Sequence, residues 1–340
     1  MDLSIFFAGT GGSVPSPRRG LPALLVRRGG EKLLFDCGEG TQRQLLKSVG
    51  LADLDAVFIT HFHADHWLGL PGMLKSLALR EREAPLDVFG PRGLGELIAS
   101  MRLAFGRLPY QLKLRELDPG AAVEGDGYRV HAVPVRHKGH SCLGYALVEH
   151  PRPGHLDPQL AESLGVAPGP DFGRLQRGET VDGVAPEQVM GPEREGRKIV
   201  ISGDTAHSDA LAIAAHQADV LIHEATFAAE ETERARETMH STATQAAELA
   251  REAEVRLLAL THISARYSGS EIRDEARSVF PSTEVPRDFD TIEVPFPERG
   301  GAALERWADR QARERRQAEA SGSQVAPSGA VASGGGVGSA

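Results

Sequence analysis

The sequence predicts an α/β architecture, sheet with helices packed outside it, and three observations carry that prediction. Short apolar runs of β-favouring residues open the chain, helix-type and strand-type stretches then alternate, and histidines and carboxylates recur at the ends of apolar strands. With 340 residues the chain can bury a large core, and the order of its motifs favours one large domain over two.

The runs Leu3 to Ala8, Ala23 to Val26 and Lys32 to Asp36 are separated by Gly- and Pro-rich turns and read as a β-meander. From Gly40 the pattern alternates: Gln42 to Val49 as helix, Ala56 to Ile59 as strand, Leu68 to Leu79 as helix, Leu86 to Phe89 as strand. A segment from about Pro151 to Gly196 then interrupts the rhythm between the strands Tyr145 to Val148 and Lys198 to Ile201. It is dense in Gly, Pro and charge and too long for an ordinary connection, which marks a functional or mobile insertion. Alternation resumes with Val220 to His223 as strand, Thr242 to Ala253 as helix and Leu257 to Leu260 as strand. The expected division is a catalytic domain over 1–299, carrying the insertion at about 151–196, followed over 300–340 by an Arg- and Ala-rich segment and a Gly/Ser/Ala tail. In that last segment Leu304 to Glu319 reads as a short helix, and the Gly, Ser and Ala of Ser321 to Ala340 read as disordered.

Composition narrows the function classes. The amino terminus has no basic lead and too short an apolar run for a signal peptide, and no stretch is long enough to span a bilayer, so a cytoplasmic protein without a membrane partner is expected. Cys37 and Cys142 read as thiols rather than a disulfide. A net charge of −9 argues against a protein that coats nucleic acid nonspecifically, yet leaves room for an enzyme that grips RNA through local basic patches. The turn Gly9-Thr10-Gly11-Gly12 is not a dinucleotide-binding fingerprint, because Val14 stands where the third glycine belongs and no βαβ unit follows.

The strongest signal is His61-Phe62-His63-Ala64-Asp65-His66, three imidazoles and a carboxylate directly after an apolar strand. Imidazole mixed with carboxylate suits Zn²⁺ best, with Mn²⁺ or Fe as alternatives. Further candidates also follow strands: His137 and His140 after Val133 to Val135, Asp204 after Ile199 to Gly203, His223-Glu224 after Val220 to Ile222, and His262 after Leu257 to Thr261. Strand ends converge at one edge of a sheet, where α/β proteins place their chemistry. His61, His63, His140, Asp65, His66 and His262, with Asp204 as a bridge, make seven ligands. That is too many for one ion and fits two, the arrangement that activates water and stabilises the leaving oxygen in phosphodiester hydrolysis. A zinc-protease helix starting at His223-Glu224 is excluded, since it needs histidine where Phe227 stands.

His-x-His-x-Asp-His at 61–66 resembles the signature of the metallo-β-lactamase superfamily, and within it the chain is similar to the ribonuclease Z family of tRNA 3′-processing endonucleases. The narrower likeness rests on Gly9 to Pro15, Phe35-Asp36-Cys37-Gly38-Glu39-Gly40-Thr41-Gln42, Ser202-Gly203-Asp204-Thr205, His223-Glu224-Ala225-Thr226-Phe227, His240-Ser241-Thr242-Ala243 and Thr261 to Tyr267. It covers about residues 1–296. The resemblance implies an αββα sandwich of two facing sheets with helices on both outer sides and a dinuclear site at one edge. It implies that His61, His63 and His140 hold a first zinc, Asp65, His66 and His262 a second, that Asp204 bridges, and that Asp65 also serves as general base. It further implies that His240 donates a proton to the departing 3′ oxygen while Glu224 orients its ring. The insertion resembles the arm with which the family holds tRNA. RNA contacts are therefore expected from Phe172 and Arg174 in the arm and from Arg19 in the loop, where the family often has Arg-Asn and this chain has Arg19-Gly20.

Taken together, the expected activity is removal of the 3′ trailer of precursor tRNA by two Zn²⁺ ions per subunit, leaving a 3′ hydroxyl. A homodimer is expected in which one subunit's arm serves the other's site. The alternatives are a phosphodiesterase of the same fold acting on cyclic or other small diesters, and a non-enzymatic RNA-binding protein.

Overall fold

A computed structural model describes residues 1–320 except 52 and 140. The strands in chain order are β1 (Leu3–Gly9), β2 (Ala23–Arg28), β3 (Glu31–Phe35), β4 (Ala56–Phe58), β5 (Leu86–Gly90), β6 (Leu112–Glu116), β7 (Ala122–Gly125) and β8 (Tyr128–Pro134). They continue with β9 (Leu143–Glu149), β10 (Lys198–Ile201), β11 (Val220–Glu224), β12 (Leu258–Thr261), β13 (Thr283–Glu284), β14 (Thr291–Glu293) and β15 (Ala303–Glu305). Two sheets result, in the orders β15-β14-β1-β2-β3-β4-β5-β6 and β13-β12-β11-β10-β9-β8-β7. Each is mixed. In the first, β14 through β3 pair antiparallel and β3 through β6 parallel; in the second, β7 through β10 pair antiparallel and β10 through β13 parallel.

The side-chain alternation of the strands explains the layering. On β1, Leu3, Ile5 and Phe7 point between the sheets, where they meet Phe35, Phe58, Tyr145, Ile199, Ile222 and Ile292. Phe6 and Ala8 point the other way, onto a helical layer that contributes Leu45, Leu70, Met73, Leu74 and Ile98. The second sheet likewise turns Val200, Leu221, Leu258 and Leu260 outward onto helices supplying Leu211, Ala246, Ala247, Ala250 and Ile272. Every residue of β1 is buried, as a strand covered on both faces requires. The layers are therefore helix, sheet, sheet, helix, the expected αββα sandwich.

Local sequence accounts for the elements. The helix Ala243–Glu252 starts at Thr242, whose hydroxyl accepts from the Gln245 amide while the Gln245 side chain accepts from the Thr242 amide. This reciprocal cap satisfies two otherwise orphaned donors. Small alanines at 243, 246, 247 and 250 are fully buried and let that helix lie close on its sheet.

Two findings revise the expected outline. Ala303–Glu305, past the expected boundary at 299, adds an edge strand to the first sheet by pairing with β14. The helix expected from Leu304 begins instead at Trp307, whose ring meets Phe289. The disorder expected over Ser321 to Ala340 lies outside the described residues. In the insertion, Pro158–Ser163, Pro170–Gln176 and Pro186–Val189 are short helices. They enclose a small core of Ala161, Val166, Leu175, Val181, Val184 and Val189.

The neck of the insertion is gripped by the chain after β14. Arg152 and Arg194 pair through their backbones where the segment leaves and returns. Both guanidinium groups donate to Glu298, at 2.8 and 2.9 Å. Phe296 lies against the guanidinium groups of Arg152 and Arg197. Arg197 is 1% exposed and donates to both oxygens of buried Glu149, at 2.7 and 2.8 Å, and Arg28 donates to the same carboxylate at 2.8 Å.

Candidate metal centre

The parallel strands β4, β10, β11 and β12 end at one rim of the sandwich, and the side chains just beyond them build the site. His61 follows β4, Asp204 follows β10 through the positive-φ turn at Gly203, Glu224 closes β11 and His262 follows β12. His262 itself adopts φ 58°, an uncommon backbone for a residue with a side chain and one that clusters at functional sites. It is held by the loop after β1: the Ile263 amide donates to the Thr10 carbonyl at 3.0 Å. Any side chain on Gly12 would collide with the His262 ring, so glycine is required at that point of the loop.

Six imidazoles form a closed ring. Neighbouring ring centroids lie 4.7 Å apart for His63 and His61, 4.1 Å for His61 and His66, 5.3 Å for His66 and His262, 5.4 Å for His262 and His240, 4.6 Å for His240 and His137, and 4.8 Å for His137 and His63. The Asp204 carboxylate sits among them. Its Oδ2 is 3.2 Å from His262 Nε2, 3.3 Å from His66 Nε2, 3.7 Å from His61 Nε2 and 3.8 Å from His137 Nε2. Asp65 Oδ2 lies 3.3 Å from His262 Nε2 and accepts from the Ser13 amide at 2.8 Å.

The outer nitrogens of these rings fix how they face inward. His66 Nδ1 donates to Asp36 at 2.7 Å, and His137 Nδ1 donates to the Met239 carbonyl at 2.8 Å. The Thr60 hydroxyl donates to Asp36 and so accepts from His61 Nδ1 at 3.0 Å. In the same way the Thr226 hydroxyl donates to Glu224 at 2.6 Å and accepts from His262 Nδ1 at 2.8 Å. A hydroxyl has one proton to give, so each threonine fixes its histidine as the Nδ1–H tautomer and leaves the Nε2 lone pair toward Asp204. The residues fit divalent cations. Imidazole nitrogens and two carboxylates converge, and the buried atoms His61 Nε2 and Asp204 Oδ1 have no hydrogen-bond partner among the described residues.

Electrostatics follow from burial and neighbours. Burial, reinforced by His66, holds His61 well below the usual histidine range, in the neutral form that binds a metal. At His66 burial acts in the same direction but is overcome by Asp204 and Asp36, which favour its proton; a cation competes with that proton for Nε2. At Asp204 burial is overridden by His262 and His66, and the carboxyl stays well below its usual range. Glu224 is wholly buried and accepts from the Thr205 and Ser241 amides at 3.0 and 3.1 Å, from Thr226, and from His240 Nδ1 at 2.8 Å. Against burial, Glu224 pushes His240 up to about 9.

The geometry gathers His61, His63, Asp65, His66, Asp204, Glu224, His240 and His262 at one place. His140 lies outside the described residues. His137, three positions earlier, stands in the ring beside His63. Arg19 is half-committed to structure: its guanidinium donates to the Thr10 hydroxyl at 2.7 Å and to the Pro286 carbonyl at 2.9 Å. Arg174 is engaged by Asp171 and Glu179 within the insertion, and Phe172 packs against the insertion's own core. Sequence reasoning missed Thr60 and Thr226 and gave Asp36 no role. Thr60 adjoins the candidate ligand His61, a signal that could have found it, whereas Asp36 and Thr226 stand 30 and 36 positions from the His66 and His262 rings they meet, and sequence adjacency does not mark them.

Comparison with known proteins supplies the deciding observation. A ribonuclease Z of Methanosarcina acetivorans is 45% identical over 302 residues, spanning 86% of this chain and 99% of that protein. One of Gemmatimonas aurantiaca is 46% identical over 307 residues, spanning 88% and 98%. The chain belongs to the ribonuclease Z family. Residues 19–152 match the model of the metallo-β-lactamase superfamily, and 180–263 that of a β-lactamase superfamily domain. Ribonuclease Z likeness extends to solved structures: human tRNase Z, short form, superposes with a TM-score of 0.64 at 29% identity over 86% of this chain and 99% of that one. The metallo-β-lactamase fold protein YhfI of Bacillus subtilis superposes equally well, TM-score 0.64, at 19% identity, which speaks for the fold alone. No helix among the described residues is long and apolar enough to cross a membrane.

Proposed function

We infer that the chain is a metal-dependent endoribonuclease that removes the 3′ trailer of precursor tRNA. The observation that carries this reading is the paired His240 and Glu224 set into a histidine ring in a chain of the ribonuclease Z family. A metal cluster alone would serve many hydrolases; a buried carboxylate keeping a proton on an imidazole at its edge supports expulsion of a poor leaving group such as a 3′ alkoxide.

We assign His61, His63 and His137 with Asp204 to one cation and Asp65, His66 and His262 to a second, which would share Asp204, 3.3 Å from His66 and 3.2 Å from His262. His137 takes the position that the family resemblance gives to His140, on the strength of its place beside His63 and Asp204. Two Zn²⁺ ions per subunit suit this imidazole-rich set, with Mn²⁺ the alternative. When bound, the cations supply Lewis acidity at the scissile phosphate and lower the pKa of the attacking water. Asp65, steered by the Ser13 amide, takes the proton of that water. The bond from phosphorus to the 3′ oxygen breaks as His240 protonates the oxygen, leaving a 3′ hydroxyl on the tRNA and the phosphate on the trailer.

Residues 1–299 with β15 form the catalytic body in this reading, and the insertion at 151–196 is an arm that holds the tRNA. Phe172 and Arg174 in the arm and Arg19 in the loop after β1 are the candidate RNA contacts, the arginines exchanging present partners for phosphate. A homodimer in the cytoplasm, one arm reaching the partner's site, completes the proposal. The test is incubation of purified protein with end-labelled precursor tRNA, with and without chelator. A trailer released only in the absence of chelator supports the reading, and an uncut precursor refutes it.

A further inference from the structure

A cleft of about 800 Å³ opens from the edge of the imidazole ring formed by His61 and His63. In ring order that edge is opposite the one formed by His240 and His262. The mechanism above uses the His240 edge for the departing 3′ oxygen, and with it the acceptor end of the tRNA. It leaves the other edge without an occupant.

The walls of the cleft carry an aromatic ring and two cations: Phe62, Arg92 and Lys138. Phe62 is half-buried, its carbonyl pinned by the Trp67 indole at 2.9 Å. Beside it stands Gly93, at φ 98°, where an added Cβ would lie 3.3 Å from the Phe62 ring. The glycine therefore leaves that part of the ring uncovered. Arg92 is well exposed and held by Asp118 at 2.6 Å, and Glu96 lines the same wall. Cations beside an aromatic platform are what a sequence-tolerant site for single-stranded nucleic acid uses, because every base has a face to stack and every nucleotide a phosphate, for which Arg92 would exchange Asp118.

We propose that this cleft receives the first nucleotides of the 3′ trailer, with the base after the cut stacked on Phe62, its phosphate near Lys138, and later phosphates reaching Arg92. The proposal rests on the endoribonuclease reading. It also follows the substrate's connectivity: the strand that continues through the 5′ oxygen of the scissile phosphate must leave the centre by an exit other than the one His240 faces.

The experiment compares two precursor tRNAs that differ only in trailer length, one nucleotide and several, with metal content measured for each variant. Phe62→Ala is expected to raise KM about tenfold on both substrates, the order of one lost stacking contact, and Phe62→Tyr to restore it. Arg92→Glu is expected to raise KM on the longer trailer and to leave the one-nucleotide trailer unchanged. Equal effects of Arg92→Glu on both substrates, or none on either, would overturn the proposal. Arg92 is bonded to Asp118 rather than to the ring, so it carries the test alone should Phe62→Ala lose metal. A wild-type enzyme that hydrolyses a small chromogenic diester but cuts neither precursor would instead overturn the reading of function beneath it.

Discussion

His240 is the residue whose role separates chemistry from metal binding. In the ring it stands between His262 and His137, and the nitrogen it turns toward Asp204, Nδ1, is bonded to Glu224 at 2.8 Å, which supports the proposed part of proton donor over that of ligand. His240→Ala is expected to lower turnover by at least about a hundredfold, the ordinary yield of general acid catalysis, while elemental analysis still finds the wild-type metal content. Loss of metal in that variant would move His240 into the ligand shell. Glu224→Gln probes the same pair through pH. The carboxylate raises the histidine, toward about 9, and bound cations pull it down. The protonated acid is lost as pH rises through that value, so removing the carboxylate's charge lowers the value and brings the alkaline fall in kcat to lower pH. An alkaline limb that does not move would show that Glu224 does not tune the acid.

Elements explain both what was legible in the sequence and what was not. Ala56–Phe58, Lys198–Ile201 and Val220–Glu224 were readable because strands buried on both faces are unbroken apolar runs. The ligands at their ends were readable for the same reason, since a histidine or carboxylate directly after such a run falls at the rim of the sheet, where strand ends converge. β6 and β7 are partly exposed and polar, and β15 has three residues, too little pattern for periodicity to register. The outer partners of the ring were hidden for a different reason. Asp36 reaches His66 across 30 positions and Met239 reaches His137 across 102, contacts that only the assembled sheets create. His137 and His140 are equally good ligands by residue type, and spacing does not choose between them; what the fold adds is the place of His137 beside His63 and Asp204.

Two predictions belong to elements. The arm leaves and returns through the backbone pair Arg152 and Arg194, so a short linker can replace residues 152–195 without straining the sheet. This deletion is expected to abolish cleavage of precursor tRNA while sparing a small chromogenic diester. Equal survival of both activities would assign the arm no part in substrate binding. At the arm's root, Glu149 serves the buried guanidinium groups of Arg28 and Arg197. Glu149→Ala strands both charges and is expected to cost about 3–5 kcal/mol in chemical denaturation. Those two arginines hold the Glu149 carboxyl below its usual range despite burial. Its share of stability is therefore present above the unfolded carboxyl pKa and fades as pH falls through the folded one.

For the whole molecule, two sheets and four strand ends exist to bring ligands from positions 61 and 262 to within bonding reach of one carboxylate. Thr60 with Asp36 on one side, and Thr226 with Glu224 on the other, fix the rings of that centre through matching relays. The pocket gathers more ligand-type side chains than a single ion takes, with Asp204 3.2 Å from His262 and 3.8 Å from His137. The most direct measurement is therefore the metal content of purified, active enzyme, titrated against the rate of trailer removal from precursor tRNA. Activity rising to its maximum at two divalent ions per chain is the expected result. Full activity at one ion, or with none, would contradict the dinuclear centre on which the rest depends.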